Sequence, residues 1–451
     1  MTGQAKEVQP ATVSERTQQA GEAQDLWAIR ARWDWVEPEV WTERMLTALE
    51  QGVKGGKWFR LIDKVYALPN LQKAFARVKA NGGAAGVDHV TVEEFERHLE
   101  ANLEKLSQSL HDGSYRPQAI RRVWIPKPGS KEQRPLGIPT VRDRVAQAAL
   151  RAVLEPIFER DFAAHSYGFR PKRGCKDALR RVDTLLKQGY NWVVDADLKS
   201  YFDTIPHSGL MGQVEGKVAD GKVLGLLAAY LTAKVMETAQ GWVPEEGTPQ
   251  GAVISPMLSN IYLDPLDHLM AGKGYEMVRY ADDFVILCRS GAEAREALGH
   301  VQTWTASVGL KLHPLKTRIV DARQRGGFDF LGYHFERGYR WPRQKSLDKL
   351  KDALRAKTRR TNGHSLKAII DTVNRTLRGW FAYYQHSYHT TFSSLDGWVR
   401  MRSRSILRKR RGREGRGRGR DHQLWPNAFF ADRGMFSLVA AHRLACQSSR
   451  G

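Results

Sequence analysis

Short apolar runs bounded by polar residues predict β-strands in the middle of the chain. The segments YNWVVDAD, at 190–197, and MVRYADDFVILC, at 277–288, both follow this pattern. In the second segment two adjacent aspartates, Asp282 and Asp283, divide the apolar run, which predicts a hairpin with a tight turn. The turn contains neither Gly nor Asn, the residues that tight hairpin turns favour. We therefore expect a chemical role, rather than turn preference, to account for this pair of like charges.

Apolar residues at helical spacing predict a helical region beyond residue 345. Leu347, Leu350 and Leu354 form one stripe. A second, broader stripe consists of Leu366, Ile369, Ile370, Val373, Leu377, Trp380, Phe381 and Tyr384. Both stripes are expected to face a core, with Lys and Arg on the opposite faces forming a basic groove.

Proline and glycine mark a different pattern nearer the N-terminus. Residues 120–140 are predicted to form two short strands around a turn that carries Lys127, Lys131 and Arg134. Between 70 and 110 the pattern predicts two helices separated by the Gly-rich loop NGGAAGVD, with Thr91 and Glu94 in a capping box. The three cations fit either a solvated cluster or a group that grips a triphosphate, and a catalytic site nearby would favour the second interpretation.

The composition indicates a large folded protein with a polyanionic partner. A chain of 451 residues, 41% of them apolar, can bury a sizeable core, and a formal net charge of +22 favours nucleic acid as a partner. The three cysteines lie far apart, which argues against disulfides and zinc fingers. No apolar run is long enough for a membrane span or a signal peptide, so we expect a cytoplasmic protein with no membrane partner.

Two further aspartates extend the acidic pattern. Asp195 and Asp197 are two residues apart and therefore share one face of the strand predicted at 190–197. Carboxylates that converge from two strands repel each other unless divalent cations lie between them. Ligands that are all oxygen favour Mg²⁺ over Zn²⁺, and a pair of such ions is the usual arrangement for nucleotidyl transfer. An ordinary exposed turn is the alternative for Asp282 and Asp283.

The strongest basic signal is the segment 400–420, which contains ten Arg and one Lys but only one Glu. Such a charge density is expected to be too self-repulsive for a packed core and suited to phosphate contacts. The candidate nucleic-acid-binding residues are Arg400, Arg402, Arg404, Arg408, Lys409, Arg410, Arg411 and Arg413.

Several ordered motifs resemble those of one enzyme family. DLKSYFD begins at Asp197, GTPQGAVISP follows at 247–256, and YADD follows at 280–283. In this order they resemble the palm motifs of reverse transcriptases, and they are most similar to group II intron-encoded reverse transcriptase/maturases. The resemblance extends from about residue 42 to the end of the chain and includes FDFLGYHF and LRGWFAYY. It implies an α+β, right-hand polymerase with fingers, a helical thumb, and a palm whose split βαβ, ferredoxin-like sheet carries helices on one face.

The resemblance also implies roles for individual residues. Asp197, rather than Asp195, would be the first metal ligand, and Asp282 and Asp283 the paired ligands, together holding two Mg²⁺ ions that Mn²⁺ can replace. Phe202 would be the steric gate that selects deoxynucleotides. The other implied positions are Lys127, Lys131 and Arg134 for the triphosphate, Gln250 for the nucleotide pocket, and Lys316 as proton donor to the departing pyrophosphate.

The same resemblance divides the chain into five regions. They are an N-terminal extension (1–60, disordered in its first part), fingers (61–190), palm (191–342), helical thumb or maturase region (343–399), and a basic nucleic-acid-binding tail (400–451). The tail lacks the paired Cys and His residues of the endonuclease domain found in many relatives, so no endonuclease is expected.

The implied function is RNA-directed DNA synthesis together with binding of a group II intron RNA, which assists splicing and mobility. The implied partners are that RNA, an RNA template, a DNA primer or target, and dNTPs, in a bacterial, nucleoid-associated setting. Two alternatives stay open. One is an RNA-binding splicing cofactor with a relic polymerase site, and the other is a reverse transcriptase that serves phage defence or CRISPR adaptation.

Overall fold

The computed structural model describes residues 27–126, 133–237, 240–248 and 251–448. The strands are β1 (Ile120–Pro126), β2 (Gln133–Ile138), β3 (Trp192–Asp197), β4 (Val235–Glu237), β5 (Gln240–Trp242), β6 (Glu276–Tyr280), β7 (Asp283–Cys288), β8 (Arg318–Asp321), β9 (Phe328–Phe330), β10 (Tyr333–Glu336) and β11 (Tyr339–Pro342). The helices are α1 (Glu43–Gln51), α2 (Ile62–Tyr66), α3 (Leu68–Asn81), α4 (Val92–Arg97), α5 (Leu99–Asp112), α6 (Val141–Glu159), α7 (Cys175–Lys187), α8 (His207–Glu215), α9 (Gly221–Leu231), α10 (Ser255–Gly272), α11 (Gly291–Ser307), α12 (Gln344–Lys357), α13 (Leu366–Tyr384), α14 (Thr390–Arg410), α15 (Arg420–Leu424), α16 (Asn427–Ala431) and α17 (Leu438–Ser448).

The palm sheet has the predicted split βαβ topology. Its strand order is β6–β7–β3–β8, and every neighbouring pair is antiparallel. Along the chain the elements run strand, helices, hairpin, helix, strand, which is the ferredoxin-like arrangement. The sequence prediction of this fold class is therefore confirmed.

Side chains alternate between two faces of the palm sheet. Val194 and Phe284 belong to the large core that α10 and α11 cover, whereas Val193 and Val285 pack in a second cluster with α7 and the small sheet β9–β11. The prediction that helices lie on one face only is wrong, because α7 also packs against β6 and β7 from the other side. Asp197 falls on the same face as Val193, since alternate residues of a strand share a face.

The fingers contain the predicted hairpin and helices. β1 and β2 pair antiparallel, and β4 and β5 extend them to a four-stranded sheet. Thr91 caps α4, and Glu94 completes the predicted capping box. In the N-terminal region Trp41 is fully buried in the same core as the palm, and its indole donates a hydrogen bond to the carbonyl of Ala152. At Trp41 the N-terminal extension is thus packed onto this core.

The thumb is helical, as predicted, but the basic segment that follows it is packed. α14 runs through to Arg410, so the proposed boundary at residue 400 falls inside a helix. Arg404 is 4% exposed and donates to the carbonyl of Trp425 and to Asn427 Oδ1. Arg408 pairs with the buried Asp421 at 2.6 Å. The expectation that self-repulsion would exclude a core was wrong because several arginines cap backbone or pair with acid. None of the helices in the described ranges combines the length and apolar character needed to cross a bilayer.

Candidate active site

Two strands bring three aspartates together. β3 ends at Asp197 and β7 begins at Asp283, and these two residues are register partners in the antiparallel ladder. Directly opposite residues in such a ladder have Cα atoms about 4.5–5.5 Å apart and side chains on the same face. Asp282 lies in the two-residue loop before β7, because Tyr280 pairs with Asp283 across the hairpin. The carboxylates predicted from separate segments therefore meet at one end of the palm sheet.

Burial and neighbouring charges both disfavour the ionised forms of Asp282 and Asp283. Burial raises the pKa of Asp282, and the nearby charge of Asp197 raises it further. Burial also raises the pKa of Asp283 to about 7, with smaller contributions from Asp282, Asp195 and Asp197. Buried like charges of this kind are relieved by a cation among them. A donor set made only of carboxylate oxygens fits a hard ion such as Mg²⁺.

Lys316 provides a positive charge at this site. Its Nζ lies 2.7 Å from Asp197 Oδ2, and the Lys316 side chain is 60% exposed. The loop before it is tied to β3, since the backbone N–H of His313 donates to the carbonyl of Asp197 at 2.7 Å. Within the described ranges, no group of three or more His, Cys, Asp or Glu side chains is arranged to hold a metal ion. The aspartates thus form an open site in which the ammonium of Lys316 already contacts one carboxylate.

Asp195 has a different environment from Asp197. Its Oδ2 is 3.2 Å from Arg318 Nε. Burial raises the pKa of Asp195 even though this arginine acts in the opposite direction. Asp197 lies one alternation further along the same face, at the strand end opposite Asp283. Of these two residues, Asp197 is therefore the one that lies directly opposite Asp283.

Phe202 follows β3 in a short 3₁₀ turn, Tyr201–Asp203. Tyr201 is directed into the core, where its hydroxyl donates to the carbonyl of Ser259 at 2.7 Å, whereas Phe202 is only partly buried. The N–H of Thr248 donates to the carbonyl of Phe202 at 2.6 Å. The segment that leads to Gln250 is therefore fixed to the backbone of the predicted steric gate.

The predicted triphosphate-binding residues are only partly described. Arg134 is exposed on β2, opposite Ile125. Lys127, Lys131 and Gln250 lie outside the described residues, as do residues 1–26. A Cβ added to Gly251 would approach the carbonyl oxygen of Gly137 to 2.6 Å, so the end of the GTPQG loop packs directly on β2. The fingers strand that carries Arg134 is thus in contact with the loop of the predicted nucleotide pocket.

The turn at residues 280–283, called the catalytic turn after its predicted role, has an unusual backbone that the sequence did not predict. Ala281 has a φ of 59°, a left-handed conformation that glycine adopts more easily. A Cβ on Gly168 would come within 2.2 Å of the nitrogen of Ala281, so only glycine fits beneath the turn. Arg279 and Asn260 complete the support. The only sequence signal was the missing Gly or Asn in YADD, which indicates that other residues must hold the turn.

Comparisons with known proteins place the chain in a family. Residues 125–335 match the family model described as "Reverse transcriptase (RNA-dependent DNA polymerase)", and residues 347–425 match "Group II intron, maturase-specific domain". Protein YkfC of Escherichia coli (strain K12) is 35% identical over 291 residues, which cover 56% of this chain and 76% of YkfC. The chain belongs to the group II intron reverse transcriptase/maturase family.

Other members of this reverse transcriptase/maturase family are longer. The group II intron-encoded protein LtrA of Lactococcus lactis subsp. cremoris is 41% identical over 196 residues, which cover 43% of this chain and 32% of LtrA. The chain therefore matches about a third of the length of LtrA. Among solved structures, a chain of the "Partial Cas6-RT-Cas1--Cas2 complex" aligns with a TM-score of 0.35 and 23% identity over 55% of this chain and 41% of that chain.

The maturase-specific match covers the thumb helices from residue 347 onward and the whole of the arginine-rich segment 400–420. The nucleic-acid-binding residues predicted in this segment, apart from Arg402, divide into two groups. Arg404 and Arg408 bind other parts of the thumb, and Arg400 lies 3.7 Å from the buried Asp396. The second group is exposed at the end of α14 and just beyond, and consists of Lys409, Arg410, Arg411 and Arg413.

Arg402 lies between these two groups. Its guanidinium donates to Thr358 at the end of α12 and stacks on the ring of Trp398 at 5.2 Å from the centroid. Burial lowers the pKa of Arg402, and repulsion from Arg355 and Arg360 lowers it further. A cavity of about 140 Å³ opens beside it. Arg402 therefore has both a structural contact and two positive neighbours, of which Arg355 also pairs with Asp352.

Proposed function

We propose that this protein is an RNA-directed DNA polymerase that extends a DNA primer along an RNA template with dNTPs. The observation that carries this proposal is the pairing of Asp197 with Asp283 at the ends of β3 and β7, with Asp282 in the adjoining turn. Buried carboxylates that repel one another are costly unless they bind cations. The family match makes nucleotidyl transfer the chemistry that best uses such a site.

Asp197, Asp282 and Asp283 would hold two Mg²⁺ ions, or Mn²⁺ in their place. When bound, such ions activate an attacking hydroxyl and stabilise the charge on the leaving group. Asp195 would orient its neighbours through Arg318 rather than bind metal. Lys316 would release Asp197 when the cations enter, and its exposed ammonium would then be available as the proton donor to pyrophosphate.

Substrate selection would depend on the turn after β3 and on the fingers. Phe202 would exclude a ribose 2′-hydroxyl, because its ring is partly exposed while its backbone is held by Thr248. Arg134 would contact the triphosphate from β2, together with Lys127 and Lys131 of the adjoining turn. Gln250 would line the pocket two residues after Thr248.

The thumb would bind a group II intron RNA and assist its splicing and mobility. The maturase-specific match and the exposed cations Lys409, Arg410, Arg411 and Arg413 support this part of the proposal. Cationic side chains on an exposed surface give phosphate contacts that are tolerant of sequence and sensitive to salt. The protein would act in the bacterial cytoplasm, close to the DNA target.

The test is primer extension by the purified protein on an RNA template. We expect full-length DNA product with dNTPs and Mg²⁺, reduced product with rNTPs, and none after chelation. Binding of the flanking intron transcript is measured in parallel by cosedimentation at increasing salt, and we expect the affinity to fall steeply. Tight binding to that transcript without any extension would contradict the polymerase proposal and favour a splicing cofactor. Extension without preference for that transcript would contradict the intron role.

A further inference from the structure

A fully buried arginine holds the backbone of the catalytic turn. Arg279, in β6, has no exposed surface, and its guanidinium donates to Ala281 O at 2.9 Å. The same guanidinium donates to both carboxylate oxygens of Asp267 and, at 2.9 Å, to Asn260 Oδ1. Asp267 and Asn260 both belong to α10, the helix that follows the GTPQG loop. One side chain therefore links the turn to this helix.

The opposite side of the turn is held by the segment that contains Gly168. The N–H of Arg279 donates to the carbonyl of His165, and the N–H of Tyr167 donates to the carbonyl of Arg279. Asn260 Nδ2 donates to the carbonyl of Gly168 at 2.8 Å, so the same asparagine contacts both supports. A left-handed alanine is strained and persists only where its surroundings impose it. At Ala281 these surroundings are the Arg279 hydrogen bond and the glycine beneath.

The charges in this network are balanced, which explains how the arginine can be buried. Burial alone would lower the pKa of Arg279, but the carboxylate of Asp267 outweighs this effect and leaves the pKa raised. Buried ion pairs contribute little net stability compared with apolar residues of the same volume. A gain in folding stability therefore does not by itself explain an arginine here. The directional hydrogen bond to Ala281, next to Asp282, does.

We propose that Arg279 is a positioning residue for metal binding: by holding Ala281 in its left-handed conformation, it fixes the carboxylates of Asp282 and Asp283 opposite Asp197. This inference rests on the proposed function, because it assumes that these aspartates bind divalent cations. Groups that orient metal ligands without contacting the metal typically change metal affinity by roughly 10- to 100-fold when they are lost. Loss of the hydrogen bonds that the Arg279 guanidinium donates is therefore expected to weaken Mg²⁺ binding by that factor.

The chain offers a matched control. Arg170 is also buried, pairs with Glu159 through Nε and Nη2, and donates from Nη1 to two backbone carbonyls, those of Ala163 and Ser166. Among the described contacts it donates no hydrogen bond to the catalytic turn itself, although Ser166 belongs to the segment that supports the turn, so the two variants separate the bond to Ala281 from support of that segment. Arg170→Lys and Arg279→Lys thus remove the same kinds of hydrogen bond, but only the second removes one from Ala281.

The experiment follows thermal unfolding of the metal-free full chain by circular dichroism as MgCl₂ is added. A ligand that binds the folded state raises the unfolding midpoint in proportion to the logarithm of its concentration over Kd. We expect both Lys variants to unfold at lower temperature without metal. We expect Arg279→Lys to need roughly 10- to 100-fold more Mg²⁺ than the wild type for the same rise, and Arg170→Lys to need the wild-type amount.

A second variant keeps the inference testable. If Arg279→Lys does not fold, Asn260→Ala leaves the ion pair intact and is expected to shift the Mg²⁺ requirement in the same direction by a smaller factor. The positioning role is overturned if the Mg²⁺ titration of Arg279→Lys, or of Asn260→Ala in its place, coincides with that of the wild type. It is also overturned if Arg170→Lys shifts the Mg²⁺ requirement as much as Arg279→Lys does. A wild-type protein that shows no Mg²⁺ response would instead contradict the metal site of the proposed function, and the role of Arg279 with it.

Discussion

The buried Arg279 of the palm and the exposed arginines late in the segment 400–420 lie in opposite environments. In the palm, Arg279 is completely buried, paired with Asp267, and bonded to the catalytic turn. At the end of the thumb, Arg410 and Arg413 are exposed, within a run that the sequence marks as strongly basic. The palm arginine has no charge pattern around it that distinguishes it in the sequence. Local charge density thus marks a region that contains surface cations but gives no sign of an arginine that organises a site.

The same comparison separates residues within the basic run. Arg404 and Arg413 are nine residues apart, yet the first is buried against Trp425 and Asn427 and the second is exposed. Helical periodicity explains the burial of Arg404, because α14 presents Val399, Ser403 and Ile406 to the thumb core and carries Arg404 with them, whereas Arg413 lies beyond the end of this helix. A count of charges over 20 residues averages over this periodicity.

The largest effect is expected from the palm carboxylates. Asp282→Asn removes a charge from the proposed metal site and should reduce primer extension on RNA by at least about a thousandfold. Asp195→Asn is the matched control, because Asp195 is on the same sheet face but pairs with Arg318. We expect it to retain most of the activity. Equal loss in both variants would mean that the site depends on its total negative charge rather than on Asp282.

The next largest effect separates the two kinds of thumb arginine. Arg404→Ala leaves the carbonyl of Trp425 without its buried donor and should lower the free energy of unfolding by about 2–4 kcal/mol. Arg413→Ala should leave the unfolding free energy within about 0.5 kcal/mol but weaken RNA binding and lower its salt slope by about one unit. Urea unfolding and filter binding at several salt concentrations measure both quantities.

The thumb comparison fails if the two variants exchange their effects. An unchanged stability for Arg404→Ala would mean that its contacts to Trp425 and Asn427 contribute nothing. An unchanged salt slope for Arg413→Ala would mean that exposure at the end of α14 does not identify phosphate contacts.

A pH dependence is expected from the palm in the absence of metal. The pKa of Asp283 is raised by burial and neighbouring carboxylates to about 7, so between pH 4 and 7 the folded protein retains a proton that the unfolded chain releases. The free energy of unfolding should therefore fall as pH rises through this window, by up to about 1.4 kcal/mol per unit. Asp283→Asn should remove most of this pH dependence of the unfolding free energy, as should saturating Mg²⁺. Coincident pH profiles for Asp283→Asn and the metal-free wild type would contradict the assignment.

The smallest effect concerns nucleotide choice. Phe202→Ala should reduce the preference for dNTPs over rNTPs by roughly tenfold or more, since the ring would no longer meet the ribose 2′-hydroxyl. Tyr201→Phe is the control, because Tyr201 faces the core and its hydroxyl bonds to Ser259. Competition between dGTP and GTP measures the ratio. A ratio in Phe202→Ala equal to that of the wild type would remove Phe202 as the gate.

Much of the palm could be predicted from the sequence. The alternation of apolar and polar residues determines which face of each strand is buried, and the two-residue loop sets the register of the hairpin. The predicted strand that ends at Asp197 and the predicted hairpin at Asp282 and Asp283 both occur. They meet because the strands of one sheet direct their apolar side chains into the same cores. The supports of the turn could not be predicted. Arg279, Asn260 and Gly168 come from three separate elements, and only the folded chain brings their backbone and side-chain atoms together.

Helix boundaries and long-range pairing limit the prediction elsewhere. Nothing in the run of arginines after residue 400 indicates that Asp396 and Asp421 neutralise part of it. Burial of α7 against the second face of the sheet depends on the small sheet β9–β11, whose strands are three or four residues long. Apolar patterns in strands this short do not predict which face of the palm sheet the strands will cover.

The central claim is that Asp197 and Asp282 share metal across two strands, and iron-mediated cleavage tests it directly. Fe²⁺ replaces Mg²⁺ in the purified protein, and ascorbate with peroxide then cuts the backbone next to the bound metal. We predict two cleavage sites, near residue 197 and near residues 281–283, that excess Mg²⁺ suppresses together. Cleavage at only one of these places, or at neither, would contradict a shared metal site.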